Sequence, residues 1–158
     1  MDLNQLKETI SLRLLTFFKI PLINWLRPNV LRMDDQVCEI KIPLGRRTHN
    51  HLGSMYFGAL STGADLAGGL VALQEIRKSG KKINFVFKSF QADFLKRANG
   101  DVIFTCNDVA FIKELVKKVS ESFDRIEGDV DVIATVPGQF GNEPVAKFKM
   151  TISMKQHA

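Results

Sequence analysis

Hydrophobic positions along this chain recur with two periods, one helical and one alternating, and the switches between them outline the elements. Over residues 2–26, Leu3, Leu6, Ile10, Leu14, Phe17 and Phe18 fall at helical spacing, with Lys7, Glu8 and Arg13 on other faces. This predicts an amphipathic helix, or two, with Pro21 kinking or restarting it and Pro28 ending it. Its plain role is a lid packed on a sheet. A helix lying on a membrane surface fits less well, because the polar face is not strongly basic.

Alternation then takes over. Val30 to Met33 and Val37 to Ile42 read as strands around an Asp34-Asp35-Gln36 turn. Ile83 to Phe90 sets Ile83, Phe85, Phe87 and Ser89 against Asn84, Val86, Lys88 and Phe90. Val102 to Asn107 is a further strand. From Asp129, Val130, Val132, Ala134 and Val136 share one side. From Val145 to Met154, Ala146, Phe148, Met150, Ile152 and Met154 share one side. A helix over Asp108 to Glu121 is predicted by Val109, Ile112, Leu115, Val116 and Val119, with Asp108 as its cap. Pro137-Gly138 marks a turn. Strand-to-strand turns outnumber crossovers, so the expected class is α+β: an antiparallel sheet curled around one buried helix.

That helix is predicted in the stretch from Arg46 to Leu73, with Ser54 as a plausible cap and Ser79-Gly80 as its stop. Gly58, Gly63, Gly68 and Gly69 each cost about 1 kcal/mol relative to Ala in a helix. The helix therefore needs wrapping on most sides, with glycines admitting close neighbours. A membrane span is the rival, disfavoured by Asp65 near the middle of the apolar run. Asp65 is the only formal charge between Arg47 and Glu75. A lone carboxylate among small apolar residues is costly to bury, so it is either paired, with Thr62 or a partner backbone, or used.

Composition narrows the functional classes. The 158 residues, 45% hydrophobic and 25% charged, suit one soluble domain, expected to span 1–158. The net charge of +5 is spread rather than gathered into the basic, aromatic-laced stripe of a nucleic-acid binder, so no nucleic-acid partner is expected. It suits an anionic small ligand or mere solubility. Twelve Phe can line a core or an acyl tunnel. Cys38 and Cys106 form no CxxC pair and read as buried thiols in a reducing compartment. His49, His51 and His157 make no metal constellation, and no metal or resident cofactor is expected. Without a secretory signal, the expected compartment is the cytoplasm.

Asn50, Gly53, Tyr56-Phe57-Gly58, Ala59-Leu60 and Ala64-Asp65 keep the spacings of a thioesterase pattern in which Asn, Gly, His-Gly-Gly, Ala-Leu and Ala-Asp follow one another. On these residues the chain resembles hotdog-fold thioesterases, specifically the phenylacetate-pathway-like acyl-CoA thioesterases and the hotdog family DUF4442. The turn Phe94-Leu95-Lys96-Arg97-Ala98-Asn99-Gly100-Asp101 also looks like the family's turn after its third strand. The resemblance implies a hotdog domain, to which residues 1–27 add an N-terminal helical segment; the inserted helix near residues 109–121 departs from the minimal fold and would cover a pocket end. The implied activity is hydrolysis of an acyl-CoA or acyl carrier protein thioester, with coenzyme A only as part of the substrate. The alternative is a non-catalytic acyl-thioester or fatty-acid binding protein on the same scaffold.

The resemblance also implies roles. Asp65 takes the place of the family's helix carboxylate, as base or nucleophile. The backbone N–H groups of Phe57 and Gly58 take the oxyanion position, where donors stabilise developing charge. Asn50 orients water or thioester, or else serves the turn it sits in. Tyr56 and Phe57 replace the family's His-Gly: Tyr56 either bonds substrate or packs, and Phe57 brings a ring to the site. Arg46, Arg47, Lys96 and Arg97 are candidate contacts for coenzyme A phosphates, or solvated turn charges. Phe57 and Asp65 are eight residues apart, about 12 Å along a helix. One protomer cannot offer both to one thioester. A homodimer sharing its sites is therefore implied, with a dimer of dimers, a homotetramer, as the larger assembly open to it.

Overall fold

The computed structural model describes residues 3–157, so the expected helix start at residue 2 and the outer ends of the 1–158 span lie outside the described residues. The elements follow the order α1 Leu3–Lys19, α2 Pro21–Trp25, β1 Asn29–Met33, β2 Cys38–Ile42, α3 Phe57–Ser79, β3 Ile83–Phe94, β4 Val102–Cys106, α4 Val109–Ser120, β5 Arg125–Thr135, α5 Pro137–Phe140 and β6 Pro144–Gln156. The strands form one antiparallel sheet in the order β1-β2-β4-β5-β6-β3. The Pro137-Gly138 turn is the short helix α5.

Helix α3 lies across the sheet and is buried along most of its length, from Ala59 to Ile76. This is the wrapped helix that the glycines required. At Gly63 an added Cβ would stand 2.3 Å from the Phe104 ring, and at Gly68 it would stand 2.8 Å from Met150 Cε. Gly80 stops the helix in a left-handed conformation, φ +66°, that Gly adopts without strain. Phe104, Met150, Ile152 and Met154 are fully buried beneath it.

Two strand patterns depart from expectation. In β3 the alternation breaks between Phe87 and Ser89, where a bulge shifts the register against β6. Phe85 and Phe87 oppose the buried Met154 and Ile152, and after the bulge it is Phe90, not Ser89, that opposes the buried Met150. One extra residue in one strand reverses every later side chain. Strand β5 begins at Arg125, earlier than its apolar stretch, because Arg125, Glu127 and Asp129 pair with β6 on the solvent side.

The N-terminal helices are present, but α1 is turned differently from an amphipathic helix that buries its stripe. Leu3, Leu6, Ile10, Leu14, Phe17 and Phe18 are exposed, and Thr9, Leu12 and Thr16 are buried. The cause lies in what α1 covers. Strand β1 is a sheet edge with unpaired backbone groups, and α1 satisfies them with polar side chains. Gln5 Nε2 donates to Leu31 O (2.6 Å), Thr9 Oγ1 accepts from Val30 N (3.0 Å) and Arg13 Nε donates to Pro28 O (3.2 Å). A helix that caps a backbone edge must turn donors and acceptors inward. Helix α4 packs on α3 and β5 through the five apolar residues predicted for it. Asp108 precedes it without capping it: Asp108 Oδ2 accepts from Asp131 N instead (2.8 Å). Cys38 and Cys106 are buried, free and directly opposed across β2 and β4.

Candidate active site

The segment before α3 is held by its own polar groups. Thr48, buried, donates from Oγ1 to Pro43 O (2.8 Å) and accepts from Gly45 N (2.9 Å). Tyr56 N donates to Thr48 O (2.7 Å). Asn50 organises the next turn: its Oδ1 accepts from Leu52 N (2.8 Å) and its Nδ2 donates to Ser54 Oγ (3.1 Å). Of the two roles open to Asn50, the turn role is visible. Gly53 donates to Asn50 O with φ +78°, which explains a Gly at this place in the pattern. Ser54 is therefore engaged in the turn and does not cap α3. Tyr56 occupies the cap position without a side-chain cap bond.

Helix α3 thus opens with unspent donors. Ala59 N and Leu60 N both reach Tyr56 O, while Phe57 N and Gly58 N have no acceptor among the described residues. The positive end of the helix dipole reinforces them. Beside them lies an open cleft of about 580 Å³. Met55 N donates to Ala98 O (2.8 Å), and Leu95 N and Lys96 N donate to Val145 O, which brings the Leu95–Ala98 turn alongside. Asn50, Tyr56, Phe57, Phe94, Lys96 and Arg97 line this cleft.

Aromatic rings form one wall. Phe57, 59% exposed, lies with its ring centroid 4.7 Å from Tyr56 and 6.4 Å from Phe94. Phe94 and Phe90 each contact Phe148, which contacts Phe104 in the core. The Phe94 ring and the exposed His51 are parts of this cleft that sequence reasoning missed. The expected strand stops at Phe90 and leaves Phe94 in the turn, whereas β3 runs on to Phe94.

The four candidate cations do not gather. Lys96 and Arg97 share the cleft at the start of α3, but Arg46 and Arg47 line a separate one with Leu26, Arg27 and Pro43. Arg47 stacks over Trp25, 4.3 Å from the ring centroid. Lys96 pairs with Glu143 and lies 4.8 Å from the Phe140 ring centroid. Arg97 makes no ion pair among the described residues.

Asp65 is elsewhere. It lines a second cleft, of about 230 Å³, between α3, β3 and the N-terminal helices. It has no hydrogen bond or ion pair among the described residues, and Thr62 Oγ1 donates to Gly58 O (2.8 Å) rather than to it. Burial alone pushes the Asp65 carboxyl up to about 6. A carboxyl poised there can take a proton near neutral pH. In one chain, then, the free amides and the raised carboxyl face different clefts.

Among solved structures the chain is similar to the Pseudomonas aeruginosa protein PA5026, described as a protein of unknown function and probable thioesterase. The two are 25% identical with a TM-score of 0.76, covering 94% of this chain and 96% of that one. It is similar in fold to the thioesterase HI1161 of Haemophilus influenzae, at 13% identity and TM-score 0.68, over 94% of this chain and 90% of that one. A protein of unknown function from Chlorobaculum tepidum TLS matches with TM-score 0.81 at 11% identity, over 97% of each chain. No curated protein matches the sequence. The antiparallel sheet wrapped on α3 is the hotdog fold, and the family described as "Domain of unknown function (DUF4442)" matches residues 9–154, so the chain belongs to that family.

Proposed function

We propose that this protein is an acyl-CoA thioesterase whose two sites each draw on two subunits. The observation that carries the reading is Asp65: without a partner among the described residues, raised by burial and set in a helix of small apolar residues. Asp65 of one subunit acts as base toward water, or attacks the thioester carbonyl directly. The Phe57 and Gly58 amides of the second subunit hold the oxyanion, and Lys96 and Arg97 meet the coenzyme A end. Asn50 shapes the turn that sets those amides in place.

The sheet supports the pairing. Its β1 edge is closed by α1, while β3, twelve residues long, leaves its other edge open with Val86, Phe90 and Phe94 exposed. An open edge of that length invites a second strand, and a second copy is the economical source. Such a pairing brings two α3 helices toward one another and lets Asp65 face the other helix's start. The presence of thioesterases among the similar folds supports the chemistry.

One observation favours a second reading, a non-hydrolytic acyl-thioester binding protein: the Phe57 ring stands beside the free amides. Free-thiol release from short, medium, long and aryl acyl-CoAs separates the two. The thioesterase reading predicts turnover that falls about a hundredfold or more in Asp65→Asn, the scale of a lost acid–base group. Tight binding of the same esters without turnover would instead establish the binding protein.

A further inference from the structure

The cleft beside Asp65 is oily and roofed. Its walls come from Leu15, Ile20 and Ile23 of the N-terminal segment, Leu73 of α3, and Phe85 and Phe87 of β3. Among the described residues, Asp65 is the only ionisable group lining it, and the one hydroxyl there, on Thr16, is already donated to Leu12 O (2.9 Å). The roof is anchored independently of any ligand. Arg13 Nη2 donates to Asn29 Oδ1 (2.8 Å) and Gln74 Nε2 donates to Glu8 Oε2 (3.0 Å), tying α1 to β1 and to α3. The roof is therefore a fixed wall, and the cleft has a fixed depth. Gly69 sets the floor next to the acid: a Cβ there would stand 3.5 Å from Asp65 Oδ1 and 3.4 Å from the Phe87 ring, in ordinary contact with both.

Beyond the thioesterase reading, and resting on it, we propose that this cleft is the acyl-chain subsite. The apolar tail lies under α1 and α2 in the subunit that supplies Asp65, and the coenzyme A end lies on the other subunit, so one substrate bridges the dimer. Leu15 and Gly69 set the accepted chain length. A cleft of about 230 Å³ is below the usual span of about 300–1,000 Å³ for drug-sized ligands. It suits a short or medium chain and excludes a long one.

The test uses alkyl-CoA thioethers, which carry the chain but cannot be hydrolysed, at short, medium and long lengths. Binding is measured by calorimetry to wild type, Gly69→Ala and Leu15→Ala. While the chain is inside the cleft, each added methylene tightens binding about fourfold. The gain then levels off. Gly69→Ala moves the plateau to shorter chains, and Leu15→Ala moves it to longer ones. Both variants keep their fold, which their melting temperatures verify: Ala improves the helix at position 69, and Leu15 is only partly buried. Free alkanoic acids are run in parallel. Shifted plateaus with acids and thioethers alike show a cleft that reads the chain itself; shifts with thioethers alone show one that needs the coenzyme A anchor. Either supports the subsite. Identical plateaus in all three proteins overturn it and leave the thioesterase reading intact. Absence of both thioether binding and thiol release in wild type overturns both.

Discussion

Asp65 sits between Ala64 and Leu66 on a helix whose neighbours offer it nothing, and that isolation has a thermodynamic sign. Its folded pKa of about 6 lies above the ordinary carboxyl value of 3.8. Below about pH 3 both folded and unfolded chains hold the proton, and the residue costs nothing. As pH rises from about 3 to 6 the unfolded chain releases its proton first, so stability falls. Above pH 6 the penalty is complete, about 3 kcal/mol for a shift of this size. Asp65→Asn is therefore more stable than wild type at pH 7, by up to that amount, and no more stable at pH 3. Urea denaturation at the two pH values measures the difference; an equal effect at both would contradict the burial account. With Asp65 as the proposed base, the same titration is expected to give kcat/KM an acid limb near pH 6 in wild type.

At the scale of elements, α3 shows two kinds of glycine. Gly63 is packed by the fully buried Phe104 ring, whereas Gly69 borders a cleft. Ala in place of a helical Gly gains about 1 kcal/mol of propensity. At Gly63 that gain is outweighed by forcing a core ring aside, which costs about 1–3 kcal/mol. Gly63→Ala is expected to lower the melting temperature and Gly69→Ala to raise it. A rise at both would show that Phe104 yields freely. This distinction was not legible in sequence, where both are glycines in one apolar run. What was legible followed from short-range physics. Alternation marked the strands, Gly80 the helix stop, and the lone charge of Asp65 the candidate acid. What was not legible depended on partners distant in sequence. The turned face of α1 follows from the open edge of β1, the reversed parity of Phe90 from one bulge, and the separation of Arg47 from Arg97 from the packing of Trp25. The walls contributed by Leu15 and Ile23 were hidden for the same reason, because α1 buries the side that its hydrophobic spacing does not mark.

At the scale of the whole molecule, one sheet edge is closed by a helix and the other is left open. The two halves of the proposed chemistry face different clefts of a single chain. Both features point to a site completed by a second copy, and complementation measures that directly. Phe57→Pro removes one oxyanion donor at the first helical position, where Pro is accepted, and the extended Tyr56 before it (φ −65°, ψ 139°) already has the conformation Pro requires. Asp65→Asn removes the proposed base. Each variant alone is expected to be nearly inactive toward acyl-CoA. Mixed by co-expression, they form heterodimers in which one site carries both lesions and the other carries neither. Thiol release should then recover to about a quarter of wild type, because half of a random mixture of two-fold dimers is heterodimeric and each heterodimer has one intact site. A mixture as inactive as its separate components would contradict the shared site.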